Sequence, residues 1–126
     1  MDHTLLITDD SMIIRELIKD AATESGWHVV AEAANGQDAI DSYREHRPTA
    51  VTLDLVMPQF DGLHALKGIR ELDPNARVLV VSAIDQANVL KEAIECGAAD
   101  FIVKPFKRDR FTAALRLLAP QSASNE

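Results

Sequence analysis

Five short apolar runs alternate with segments of helical period along the chain, and this alternation leaves few architectures open. The runs are Leu5-Leu6-Ile7-Thr8, Val29-Val30-Ala31, Ala50-Val51-Thr52-Leu53, Val78-Leu79-Val80-Val81 and Phe101-Ile102-Val103. Such runs, with no alternation of polar residues, read as strands buried on both faces. Between them, helical spacing is kept by Ile14, Leu17, Ile18, Ala21 and Ala22, by Ala39, Ile40 and Tyr43, and by Leu63, Leu66 and Ile69. Val89, Leu90, Ala93 and Ile94 keep it in the fourth segment, and Phe111, Ala114, Leu115 and Leu118 in the fifth. A parallel strand pair needs a crossover, so five βα units predict a parallel sheet with helices on both faces, a three-layer α/β sandwich.

Punctuation agrees with this division. Asn35 is placed to cap a helix, Gly26 and Gly97 to stop one, and Asp73-Pro74-Asn75 to turn the chain. Five units are too few for an eight-stranded barrel, and Asp9-Asp10-Ser11 stands where a glycine-rich dinucleotide fingerprint would follow the first strand.

The chain's 126 residues suit one domain, assigned to residues 1–120, with the polar residues 121–126 as a frayed tail. No apolar run approaches the roughly 18 residues of a membrane span, and Met1-Asp2-His3-Thr4 has no secretory character, so a cytoplasmic protein is expected. Cys96 has no partner for an internal disulfide and is expected to pack near a helix end. With 13 basic and 20 acidic residues the net charge is −7, which opposes direct binding to nucleic acid or an anionic membrane surface and favours protein and cation partners. His3, His28, His46 and His64 show no ligand spacing and are assigned to the surface.

The chemistry is expected outside the carboxyl ends of the strands, where open α/β sheets bind their ligands. Asp9 and Asp10 follow the first strand, Asp54 the third, Ser82 the fourth and Lys104 the fifth. Each has an ordinary reading alone: Asp-Asp-Ser as a helix-cap cluster, Lys104 as a solvated charge. Together they put three acids on one sheet edge, where they repel unless a cation sits among them. An all-oxygen cluster without Cys or paired His suits Mg²⁺, with Mn²⁺ as an alternative, and argues against zinc. Lys104 and a Ser82 hydroxyl beside it suit phosphate oxygens, so the set describes phosphoryl transfer to a carboxylate.

These residues resemble the receiver domains of two-component response regulators, and most of all the small CheY-type chemotaxis regulators. The resemblance covers about residues 3 to 118 and is carried by Asp9-Asp10, Thr52-Leu53-Asp54 with Met57-Pro58 and Asp61-Gly62, Val81-Ser82-Ala83, and Gly97 to Phe106. It implies a flavodoxin-like (βα)5 fold with sheet order 2-1-3-4-5. It further implies that Asp54 is the phosphoacceptor, attacking a phosphohistidine of a partner histidine kinase. The metal would be held by Asp10, Asp54 and the backbone carbonyl of Val56, with Asp9 acting largely through water. Lys104 and Ser82 would bind the phosphoryl group, Ser82 and Phe101 would form the switch, and the Lys104-Pro105 peptide would be cis. Phe101 stands where many chemotaxis regulators carry Tyr, so no hydroxyl is offered there. Val56 and Ile84 occupy positions that border the path of the hydrolytic water in this family, and neither side chain can orient it. A long-lived phosphoryl group is therefore expected.

By the same resemblance, phosphorylation shifts a population between two packings and changes partner binding through helix 4, strand 5 and helix 5. Lys107, Arg108, Arg110 and Arg116 make that region locally basic, read first as a solvated surface and second as a dock for an acidic peptide. The favoured function is a freestanding signalling switch, in chemotaxis by resemblance alone, acting as a monomer or a phosphorylation-dependent dimer on an output protein. The rivals are a relay that passes phosphate to a histidine phosphotransfer protein, and an aspartyl-phosphate phosphatase. The last wants an Asp-x-Asp nucleophile motif that Asp9-Asp10 lacks, so an independent enzyme is not expected.

Overall fold

A computed structural model describes residues 3–57, 62–84 and 86–120. Pro58 and Asp61, part of the motif set above, and the tail assigned to 121–126 lie outside the described residues. Strands β1 (His3–Thr8), β2 (Trp27–Ala33), β3 (Ala50–Leu53), β4 (Val78–Ser82) and β5 (Asp100–Val103) form one parallel sheet in the order β2-β1-β3-β4-β5. Helices α1 (Met12–Glu24), α2 (Gly36–His46), α3 (Gly62–Leu72), α4 (Ala87–Glu95) and α5 (Arg108–Leu118) alternate with them. The alternation predicts the parallel sheet between helix layers, and the resemblance predicts its flavodoxin-like order.

The pleat sorts the core into two layers. Leu6, Val51, Leu53, Val78 and Val80 face Ala39, Ile40 and Tyr43 of α2 and Ala65, Leu66 and Ile69 of α3. Leu5, Ile7, Ala50, Leu79 and Val81 face Ile18, Ala21 and Ala22 of α1 and Phe111, Ala114, Leu115 and Leu118 of α5. Neighbouring residues of one strand thus feed opposite layers, which is why the strands read as unbroken apolar runs.

Burial on both faces holds in full for the central strands β3 and β4, and for β1 beyond its first two residues. The edges depart from it: β2 and β5 are only partly buried, because a helix layer tapers where the sheet ends. Helical spacing also overstates two positions, Leu17 at 53 % exposure and Ile94 at 43 %. Leu17 joins Met12 and Ile13 on an exposed apolar face of α1. His3 is partly buried, because its ring lies against Trp27 with centroids 5.1 Å apart.

The local signals act as their chemistry demands. Asn35 Oδ1 accepts from the Asp38 N–H at 2.8 Å, and Gly26 and Gly97 follow their helices at φ of 91° and 107°. The Asp73 carbonyl accepts from the Ala76 N–H at 2.9 Å, closing the expected turn. Cys96 is partly buried at the end of α4 against the α2/α3 core layer.

Candidate functional site

Strand register decides which acids meet. Thr8 pairs with Leu53, so the next residues, Asp9 and Asp54, leave the sheet side by side. The Asp54 N–H donates to the Thr8 carbonyl and the Asp9 N–H to the Ala33 carbonyl, each at 3.0 Å, which keeps both backbones on the sheet ladder for one more residue. Sheet order reverses between β1 and β3, and the crevice that opens there is where such folds place ligands. Asp10 then turns outward and is exposed, while Ser11 caps α1 by accepting from the Ile14 N–H at 3.3 Å. One oxygen from each of Asp9, Asp10 and Asp54 lies within 4.8 Å of the others.

Lys104 reaches the same point from the fifth strand. Its N–H donates to the Ser82 carbonyl at 2.8 Å, prolonging the β4–β5 ladder, and the peptide to Pro105 is cis. Its Nζ donates to Asp9 Oδ2 at 2.6 Å and to Asp54 Oδ2 at 3.2 Å. The other oxygen of Asp54 accepts from the Val56 N–H at 3.1 Å, and the other oxygen of Asp9 from the Ser11 N–H at 2.9 Å.

Burial and charge compete in this cluster. Asp9 is fully buried, and that burial pushes its carboxyl above the usual carboxylate range although the hydrogen bonds from Lys104 and Ser11 oppose it. Burial alone would pull the Lys104 ammonium down, but its bond to Asp9 and the charges of two carboxylates hold it above an ordinary lysine. Among the described residues the cation that meets these carboxylates is the half-buried Lys104 ammonium, bonded to two of the three acids. An all-oxygen set with one exposed member, Asp10, fits a hard divalent ion that keeps part of its water.

The remaining predicted residues sit around this centre. Ser82 is buried at the end of β4, its hydroxyl near the Ile84 N–H at 3.4 Å. Phe101 is half-buried against the α2/α3 core layer; its N–H donates to Asp100 Oδ1 at 2.8 Å and its carbonyl accepts from Arg110 Nη2 at 3.1 Å. Val56 is 54 % exposed, and Ile84 is partly buried. The structure therefore brings Asp9, Asp10, Asp54 and Lys104 together, joins Val56 and Ser82 to them through backbone hydrogen bonds to Asp54 and Lys104, and links Ile84 to Ser82, whereas Phe101 packs against the α2/α3 layer.

Two residues have a role that the sequence motifs do not state: Gly62, which stands in the Asp61-Gly62 motif, and Arg15. Gly62 opens α3 directly against the Asp54–Leu55 backbone, where a Cβ would strike the Asp54 carbonyl oxygen and the Leu55 Cα. A glycine at a helix start is the signal that could have found it. Arg15 donates to the Asp9 carbonyl at 2.8 Å, and nothing in its sequence position marks that contact.

A family model described as the response regulator receiver domain matches residues 5–116. The chain belongs to the response regulator receiver domain family. This receiver domain is 47 % identical to the chemotaxis protein CheY of Bacillus subtilis over 115 residues, which span 91 % of the chain and 96 % of that relative. It is 33 % identical to sporulation initiation phosphotransferase F of the same organism over 120 residues, covering 95 % and 96 % respectively. A chain in the crystal structure of the CheX–CheY–BeF3–Mg²⁺ complex from Borrelia burgdorferi superimposes with a TM-score of 0.86 at 35 % identity, covering 92 % of the receiver domain and 87 % of that chain. The receiver domain is thus a CheY-like signalling domain of a two-component system. Among the described residues no helix is long and apolar enough to cross a membrane.

Proposed function

We propose that Asp54 accepts a phosphoryl group from the phosphohistidine of a partner kinase, and that this modification switches the binding of an output protein. The observation that carries the reading is the shared grip of Lys104 Nζ on Asp9 and Asp54 across the crevice between β1 and β3. Of the three acids, Asp10 is exposed on the turn and Asp9 has both oxygens engaged within its own turn and by Lys104. Asp54 is bonded at both oxygens as well, by the Val56 N–H and Lys104, and the family resemblance is what assigns it the acceptor role.

In the proposed step an Asp54 oxygen attacks phosphorus, an O–P bond forms, the N–P bond breaks, and the leaving imidazole takes up a proton. Lys104 would follow the charge from carboxylate to phosphoryl oxygen, and the Ser82 hydroxyl would donate to another. Asp10, Asp54 and the Val56 carbonyl would hold Mg²⁺, with Asp9 acting largely through water. The ion would neutralise the oxygens of the transferring group. Residues 1–120 would form the working unit. The output face would be α4, β5 and α5, with Phe101 half-buried there and able to follow Ser82. The similarity to CheY of Bacillus subtilis supports chemotaxis as the pathway.

The likeness to a sporulation phosphotransferase favours one second reading, in which phosphate passes onward to a histidine phosphotransfer protein. Return of phosphate from Asp54 to a histidine separates the two. Incubation with a small phosphodonor and Mg²⁺, followed by intact-mass measurement, tests the core claim. Wild type should gain one phosphate and Asp54→Ala none; equal gain by the variant would sink it.

A further inference from the structure

The turn that carries Asp9 and Asp10 is braced from behind by a side chain the chemistry above leaves unused. Arg15, in the first turn of α1, donates from Nη1 to the Asp9 backbone carbonyl at 2.8 Å. Its Nε donates to Glu32 Oε1 on edge strand β2 at 3.0 Å. The Arg15 side chain is 17 % exposed, so the fork is held in place rather than waving in solvent. Lys19 lies beyond it, with Nζ 3.7 Å from the other Glu32 oxygen and its side chain 46 % exposed.

Asp9 is consequently held at every polar atom. Its N–H meets the Ala33 carbonyl, its carbonyl meets Arg15, and its two side-chain oxygens meet the Ser11 N–H and Lys104 Nζ. Asp10 differs: it is exposed, and its carboxylate makes no hydrogen bond among the described residues. The plane of the Asp9–Asp10 peptide sets where its Cα–Cβ bond starts, and its own χ angles stay free. The oxygen of that peptide is the atom Arg15 grips.

We propose that Arg15, braced by Glu32, is a positioning residue that presents the Asp10 carboxylate to the divalent cation. This inference rests on the proposed Mg²⁺ site. Geometry and charge predict opposite outcomes. As a charge alone, a guanidinium near the cluster repels a divalent cation, and removing it would tighten binding. As a brace, it holds a ligand in place, and removing it would weaken binding. Lysine keeps the charge but has a single ammonium, so it cannot meet Glu32 and the Asp9 carbonyl in two fixed directions.

Mg²⁺ titration by calorimetry should give affinities about tenfold weaker for both Arg15→Met and Arg15→Lys, the usual scale for residues that orient a metal ligand. In the metal-free protein, hydrogen exchange at the Ser11 amide, which donates to Asp9 Oδ1, should quicken in both variants. Lys19→Met should match wild type in both measurements. Tighter binding by Arg15→Met with unchanged binding by Arg15→Lys would overturn the inference in favour of a field effect, and unchanged affinity in both would overturn it outright. Should the Arg15 variants not fold, Glu32→Ala reads the brace from its other end: a several-fold weaker affinity supports it and an unchanged one overturns it. A wild type that takes up no Mg²⁺ would sink the site reading and the inference together, whereas normal wild-type uptake with indifferent variants would sink only the inference.

Discussion

Lys104→Met isolates how far the acidic cluster depends on one ammonium. Nζ lies 2.6 Å from Asp9 Oδ2 and 3.2 Å from Asp54 Oδ2, and both carboxylates are almost wholly buried. Methionine keeps the apolar stem and deletes the charge, leaving two buried acids face to face. The cluster oxygens lie within 4.8 Å of one another, and two unit charges that far apart repel by about 3.5 kcal/mol at an effective dielectric constant of roughly 20. Removing one partner of a buried ion pair typically costs about 3–5 kcal/mol, which agrees. We therefore expect a loss of about 3 kcal/mol near neutral pH in the absence of metal.

The loss has a ceiling, because Asp9 can take up a proton. Burial already pushes its carboxyl up, and the Lys104 bond that opposes this is gone in the variant. An acid whose folded value exceeds its unfolded value binds more proton when folded. Stability then falls as pH rises from the usual carboxylate range through the folded value, by at most about 1.4 kcal/mol per pH unit. The deficit against wild type should be largest near neutrality and shrink in mild acid. Urea unfolding in EDTA across that range measures it, and Mg²⁺ at roughly ten times its Kd should return about 1.4 kcal/mol to the variant. Identical urea midpoints for variant and wild type at every pH would refute the reasoning, since the ammonium would then not be what compensates the acids.

Val56→Asn or Ile84→Glu should shorten the phosphoryl lifetime about tenfold, the worth of one well-placed hydrogen bond to the attacking water; unchanged decay of labelled protein would count against the role assigned to these two positions. Gly62→Ala should cost about 1–3 kcal/mol by overpacking against the Asp54–Leu55 backbone and should slow phosphorylation as well, read by thermal melting and intact mass together. Tyr43→Phe removes a 2.7 Å hydrogen bond to Asp73 and should cost about 1 kcal/mol at neutral pH. That bond, with the one from the Asn75 N–H, holds the Asp73 carboxyl below the usual range, so the increment is present above that range and is lost as pH falls through the folded value. The gap between Tyr43→Phe and wild type should accordingly narrow in acid, and a gap independent of pH would show that the bond does not select the ionised form.

Much of this molecule is legible in its sequence. Apolar runs of three or four residues separated by helical periods leave a parallel sheet as the way to bury them, and Asn35, Gly26 and Gly97 act where local chemistry puts them. The same patterns could not say which apolar residues stay wet. Leu17 keeps the period of the α1 core face yet lies exposed, because α1 is covered only where it meets the sheet and α5. Spacing measures position around one helix, and burial depends on what packs against it.

The candidate site divides in the same way. The sequence by itself determined that Asp9, Asp10, Asp54, Ser82 and Lys104 stand at strand ends, since strand limits follow from local composition. That Asp9 and Asp54 are neighbours was decided by the pairing of β1 with β3, a contact between residues far apart in the chain. That Lys104 reaches both, that Gly62 must lack a side chain, and that Arg15 grips the Asp9 carbonyl are likewise tertiary facts. Each depends on distances of a few ångströms between separate elements, and no periodicity along a single strand or helix encodes such a distance.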